Sequence, residues 1–301
     1  MRDRLESAGW RTVVIDTHAE LALKEGCLIL RGAETVSIPL SQIQTVIVSA
    51  AGGTISLPLL AALAERGIPF ITCNGKKEPV GELAGFSCHS STAGRMLRQA
   101  GWTVAGKAAV WKQIVENKIA NQRGVLRLLG LEEPWEMEDY HESVQEADKT
   151  NREGQAARVY FAALFGGAFI RHSCDEINGA LDYGYALLRS AVTRAVVAYG
   201  YHPAIGIHHC SQYNKFNLSC DLMEPFRPVM DAAVYQNRRL PLDWTLKKTL
   251  IEQLNAPCFI GGQHMSMVNA IDVFVRTVLD SVDVGGQIEE VIPCRAAVSC
   301  L

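Results

Sequence analysis

The spacing of apolar residues changes once along this chain, near Ser91, and that change limits the fold more than any other feature. From Arg11 to about Gly85 the period is mostly two, the repeat of a strand with one buried face. Arg11-Thr12-Val13-Val14-Ile15 reads as a strand, and Glu20 to Lys24 and Cys27 to Arg31 flank Glu25-Gly26 as a hairpin. Thr35 to Ile38 and Gln44 to Ser49 continue the pattern, and further strands are predicted over Pro69 to Cys73 and Pro79 to Ala84. One helix interrupts them, about Ser56 to Arg66, with Leu59, Leu60, Leu63 and Ala64 at helical spacing and Gly67 at its end. Beyond Ser91 the period is helical. The prediction is an α+β chain: a β-rich domain over residues 1–90, then a larger all-helical domain over 91–301.

Length agrees with two domains, since 301 residues is ample for two hydrophobic cores. Net charge is −3, so any affinity for nucleic acid must rest on local basic patches. The nine cysteines contain no Cys-x-x-Cys pair and are odd in number, which suits buried thiols in a reducing compartment better than a disulfide framework or a zinc knuckle. No apolar core of a signal peptide follows Met1-Arg2-Asp3-Arg4, and no apolar run is long enough to span a bilayer. A cytoplasmic location is expected. Gly52-Gly53 and Asn74-Gly75-Lys76-Lys77 match no phosphate-binding fingerprint and read as turns.

The helical half carries the polar groups. Gly106 to Leu129 reads as a long helix with Val110, Ile114, Ile119 and Leu126 on its apolar face. Lys107, Lys112, Lys118, Arg123 and Arg127, preceded by Arg95 and Arg98, make either a basic stripe for a phosphate backbone or a solvated face. The acidic stretch Glu132 to Asp148 repels DNA and reads as a surface connection with one short helix. Thr150 or Asn151 then caps a new helix whose first turn holds Glu153. Ala156, Ala157 and Tyr160 continue the face of Glu153 and turn this acid toward the interior, where a carboxylate needs a partner. Asn178 to about Tyr199 is apolar on most sides and is expected to be the central helix.

Directly after it, the run His208 to Pro228 gathers imidazole, amide and carboxylate groups. Asp221 and Glu224 are three apart, on one face of a helix, and with a histidine from the preceding loop they would make a nitrogen and oxygen set suited to Mg²⁺ or Mn²⁺. The same spacing is also that of a capping box, with Asp221 satisfying free backbone donors and Glu224 reaching back. Tyr213, Asn214 and Asn217 read as loop hydrogen-bonding residues, and His264 as a turn residue.

Four segments, in order and at family spacing, resemble one family. Asn151-Arg152-Glu153-Gly154-Gln155-Ala156-Ala157, Asn178 to Leu188, Gly206-Ile207-His208-His209, and Asp221-Leu222-Met223-Glu224-Pro225-Phe226-Arg227-Pro228 are similar to the CRISPR-associated integrase and endonuclease of spacer acquisition, the first of the CRISPR-associated proteins. Gly9 to Ile15 and Val268-Asn269-Ala270-Ile271 resemble its type II branch. The resemblance implies an N-terminal β-sandwich-like domain and an all-α catalytic domain. It implies that Glu153, His209 and Glu224 are both metal ligands and catalytic residues for Mg²⁺ or Mn²⁺, with Asp221 either an auxiliary ligand or a cap. The implied reaction inserts prespacer DNA into a CRISPR array by attack of a 3′-hydroxyl on a repeat-boundary phosphodiester. Implied partners are prespacer and repeat DNA, a second copy of the chain, the second CRISPR-associated protein as a bridging dimer, and the type II effector nuclease with a ring-forming accessory protein. The alternative is a catalytically silent, DNA-binding architectural subunit of the same complex.

Overall fold

A computed structural model describes residues 11–75, 79–83, 85, 91–284 and 286–293. Gly9 and Trp10 of the type II resemblance, Lys76 and Lys77 of one turn, and Cys88, Cys294 and Cys300 lie outside the described residues. The chain forms two compact units, residues 1–92 with 197–200 and residues 93–196 with 201–301.

The first unit runs β1 (Arg11–Ile15), β2 (Ala19–Lys24), β3 (Cys27–Arg31), β4 (Thr35–Pro39), β5 (Ile43–Val48), β6 (Gly53–Ile55), α1 (Leu57–Glu65), β7 (Phe70–Cys73) and β8 (Pro79–Leu83). Two four-stranded sheets result, in the orders β1-β5-β7-β8 and β4-β3-β2-β6. The predicted hairpin is β2 and β3, closed by Glu25 and Gly26 at φ 50° and 73°. Positive φ at both central residues matches the twist of the flanking strands. β5 pairs in parallel with both β1 and β7, and its first five residues are all buried. A strand covered on both faces loses the alternation that marks a half-exposed one. Ser56 caps α1 by accepting from the Leu59 N–H, and Gly67 ends it at φ 63°. Leu59 and Leu63 of α1 then bury against Leu21, Leu28, Ile43, Val46 and Phe70 from both sheets.

The second unit contains α2 (Thr92–Ala100), α3 (Val104–Leu128), α4 (Glu136–Glu142), α5 (Arg152–Phe165), α6 (Glu176–Ala198), α7 (Asn217–Met223), α8 (Arg227–Gln236), α9 (Trp244–Glu252), β9 (Pro257–Ile260), β10 (Gln263–Ser266), α10 (Met267–Val284) and β11 (Ile292–Pro293). The three strands form a small sheet, ordered β10-β9-β11, inside the helical half. His264, expected in a turn, stands in β10 opposite Phe259, while Gly261 and Gly262 at φ 57° and 76° make the turn. Four-residue strands are too short to stand out among helical repeats. α6 is buried along most of its length, as its composition predicts. The helix with the widest set of neighbours is nevertheless α3, which packs against α4, α5, α8 and α10. Its buried stripe is partly polar: Asn117, Lys118, Asn121 and Gln122 alternate with Ile114, Val115, Ile119 and Val125. Among the described residues no helix is long and apolar enough to cross a membrane.

Candidate active site

Four pieces of the second unit supply the site, and each holds its side chain by local chemistry. Asn151 precedes α5 in the left-handed region and accepts from the Gly154 N–H, while the Asp148 carboxylate accepts from the N–H groups of Arg152 and Glu153 at 2.7 and 3.0 Å. With two caps the first turn of α5 has its free donors met, and Glu153 leaves it in one fixed direction. Glu224 opens the short 3-10 turn Glu224–Phe226 between α7 and α8. Asn121 of α3 donates to the Pro225 carbonyl at 2.8 Å, which pins that turn.

The two acids meet on Lys118 of α3. Its Nζ lies 2.6 Å from Glu153 Oε1 and 2.5 Å from Glu224 Oε2, with the three side chains 8%, 23% and 2% exposed. Arg227 takes the other oxygen of Glu224 at 2.9 Å. Burial alone would raise the Glu153 carboxyl, but Lys118 outweighs it and the pKa ends below the ordinary carboxylate value. Burial likewise opposes the Lys118 ammonium, and the fields of Glu224 and Glu153 raise its pKa in spite of that. Lys118 is therefore charged, and it is no part of a DNA-facing stripe. Arg123 and Arg127, read as part of either a basic stripe or a solvated face, are bound to Glu133, and Arg98 reaches Asp283. The acidic stretch thus pairs with the helix it was expected only to follow.

His209 is placed by Asp221, which is fully buried in α7. Asp221 Oδ2 accepts from the N–H groups of Ile207 and His208, and Oδ1 from the N–H of His209 and from its Nδ1, the last at 2.6 Å. Asp221 is consequently not the N-cap of a capping box; it clamps the histidine loop. Donation from Nδ1 fixes the tautomer and leaves Nε2 as a lone-pair donor. That hydrogen bond raises the His209 pKa, against the effect of burial, and Glu224 and Glu153 add to the rise. The imidazole thus lies within the field of both acids. Gly206 explains the spacing of glycine and histidine, because a Cβ there would collide with the His209 carbonyl oxygen and meet Asp221 Oδ2 at 2.8 Å. His208 stacks on Trp111, with ring centroids 4.3 Å apart, and His209 meets the same indole edge-on at 6.0 Å. Asn217, expected in a loop, is the buried first residue of α7, from which it donates to the Ala204 and Ser211 carbonyls; Tyr213 is exposed.

With Lys118 between the acids, no three His, Cys, Asp or Glu side chains among the described residues are close enough together to hold a metal ion as they stand. The donor chemistry nevertheless fits a hard divalent cation: two carboxylates and one imidazole of set tautomer. Glu224 Oε2 supports the fit, since it is buried and accepts no well-formed hydrogen bond among the described residues; its approach to Lys118 is a charge contact. Sequence reasoning missed the positions of Lys118 and Arg227 and the clamp role of Asp221. It also missed a network behind them, in which the Tyr185 hydroxyl donates to Asp231 at 2.5 Å. Burial pushes the Asp231 carboxyl up to about 7, although Tyr185 and Arg227 oppose it.

The family model for CRISPR associated protein Cas1 matches residues 12–240. The CRISPR-associated endonuclease Cas1 of Neisseria meningitidis serogroup C is 35% identical over 275 residues, covering 89% of this chain and 90% of that one. Among solved structures, a casposase bound to integration product superposes with a TM-score of 0.77 at 17% identity, covering 92% of both chains. A chain of a Cas6-RT-Cas1–Cas2 complex gives 0.71 at 17% identity, covering 94% of this chain and 36% of that one. At these identities the two structures show a shared fold.

Proposed function

The chain belongs to the CRISPR-associated Cas1 family, and from that membership we propose that it is a divalent-metal-dependent DNA integrase and endonuclease acting in spacer acquisition. The observation that carries the reading is the meeting of Glu153 and Glu224 on one buried ammonium, with His209 held by Asp221 inside the field of both acids. Glu153, Glu224 and His209 would hold Mg²⁺ or Mn²⁺, which when bound polarises a phosphodiester and lowers the pKa of the attacking hydroxyl. In strand transfer a prespacer 3′-oxygen forms a new bond to phosphorus at the repeat boundary. The bond to the target strand's 3′-oxygen breaks, and the proton lost by the attacking hydroxyl is made good at the leaving oxygen. Hydrolysis replaces the attacking hydroxyl with water at the same site.

The chain's own residues orient these parts. Asp221 keeps the proton on Nδ1 of His209, the caps of Asn151 and Asp148 aim Glu153, and Arg227 with Asn121 holds Glu224. Preorganised groups of this kind lower the barrier without rearranging during the reaction. DNA and a Cas2-type protein are proposed partners, in line with the casposase and Cas6-RT-Cas1–Cas2 structures of the same fold, and a second copy of this chain is proposed beside them. The type II effector nuclease, its ring-forming accessory protein and a cytoplasmic setting complete the proposal. The test incubates the chain and a Cas2 partner with 3′-hydroxyl prespacer DNA and a repeat-bearing plasmid in Mn²⁺ or Mg²⁺. Joined product that disappears with chelator and with His209→Ala is expected. That no three ligand-type side chains among the described residues lie close enough to hold a metal ion as they stand favours one alternative, a silent architectural subunit, which would bind DNA and give no joined product.

A further inference from the structure

Lys118 sits where the proposed reaction needs a divalent cation to act, and we propose that its ammonium is a built-in placeholder that the metal must displace from Glu153 and Glu224. This rests on the metal-binding reading above. Nζ touches one oxygen of each acid, at 2.6 and 2.5 Å, and the three groups are largely withdrawn from solvent. Two carboxylates brought together in such a place repel each other and lose hydration unless a cation lies between them. The ammonium suits that position, being a compact charge on a flexible four-carbon stem, able to neutralise both acids and then withdraw.

The position of Lys118 in the fold supports a dedicated role. It stands midway along α3, on the buried stripe, where a lysine is costly and a leucine would pack without a partner. Asn121, one turn later on the same stripe, holds the Pro225 carbonyl and so the turn that bears Glu224. Arg227 already satisfies Glu224 Oε1, so Lys118 faces the remaining oxygen, which accepts no well-formed hydrogen bond among the described residues. A contact that is electrostatic and poorly directed is one that a hard divalent ion can outcompete. The arrangement keeps the acid pair neutralised while the chain carries no metal, and it sets the metal concentration at which the site becomes armed.

The test measures Mn²⁺ binding by calorimetry and the thermal midpoint with and without Mn²⁺, for the native chain and for Lys118→Met and Lys118→Gln. Removing a competing charge in contact with both ligands should tighten Mn²⁺ binding by at least about tenfold. It should also lower the midpoint of the metal-free protein, so that the rise on adding Mn²⁺ is larger than in the native chain. Binding that is unchanged or weaker in the substituted chains would overturn the placeholder role and assign Lys118 to holding the ligands in place. A native chain that binds no Mn²⁺, with variants that bind none either, would overturn the metal reading itself. Should both variants fail to fold, NMR of the native chain decides: the Lys118 ¹⁵Nζ signal, protected from exchange without metal, must lose that protection on titration with Mg²⁺. A signal that stays protected at saturating Mg²⁺ contradicts displacement.

Discussion

The two units solve opposite problems with buried residues. In the first, the core residues Leu21, Leu28, Ile43, Val46, Leu59, Leu63 and Phe70 are apolar, and packing alone explains their order. In the second, α3 carries Asn117, Lys118, Asn121 and Gln122 into the interior, where Lys118 meets Glu153 and Glu224. Burying charge is expensive and rarely the best route to stability, since a well-packed apolar replacement often does as well or better. The contrast teaches that the second core keeps its charges for what they can do. The first core should therefore answer substitution as a packing problem and the second as a chemical one.

The largest expected effect comes from uncovering the acids. Lys118→Ala in metal-free protein should cost about 3–5 kcal/mol in denaturant unfolding, the usual penalty for breaking a buried ion pair. A loss below ~1 kcal/mol, the range of an exposed pair, would remove the contrast. Leu59→Ala in the first unit should cost about 2–5 kcal/mol as a cavity. Its Mn²⁺ affinity, measured on folded protein, should stay at the native value.

Next comes pH. Asp231 is raised to about 7 in the folded chain from an ordinary value of 3.8. Between these values the folded state keeps a proton that the unfolded state has lost, so this group's contribution to stability falls as pH rises from about 4 to 7 and is flat above. Asp231→Asn should flatten that fall in a series of urea unfolding curves, and an unaltered slope would contradict the assignment. Asp221→Asn weakens the clamp on His209 without emptying the space. Mn²⁺ affinity or strand transfer should drop about 10–100-fold, the range seen when a ligand's supporting hydrogen bond is lost. ¹⁵N shifts of the imidazole should show the Nδ1 proton no longer fixed. The smallest effect is that of Asn121→Ala, about 1 kcal/mol for one lost hydrogen bond, read as a shift in the unfolding midpoint.

Much of the first unit was legible because strand alternation, the Glu25-Gly26 turn and the Ser56 cap are all local signals. Parallel pairing of β5 was not, since it depends on which distant strand arrives beside it. In the site, a helix start at Thr150 or Asn151 and the inward face of Glu153 were readable from the helical pattern, whereas His209 was singled out over His208 only by the family resemblance. The structure shows that Gly206, three residues before it, has no room for a side chain. Asp221 and Glu224 share a spacing but not a role. α7 ends between them, so one turns to the histidine loop and the other to Lys118. Lys118 was hidden among other basic residues of its helix. The available signal was phase, because Ile114, Lys118, Asn121 and Val125 recur at intervals of four, three and four, which puts the lysine on the buried face. The short β9–β11 sheet escaped because its pairing is set by tertiary contacts, with only the Gly261-Gly262 turn to announce it.

The most direct test of the second core's purpose is anomalous diffraction from crystals of the native chain soaked in Mn²⁺. One strong peak within ligand distance of Glu153, Glu224 and Nε2 of His209, with the Lys118 ammonium moved off both carboxylates, is the predicted result. No peak there at saturating Mn²⁺, with Lys118 still bridging the two acids, would contradict the account.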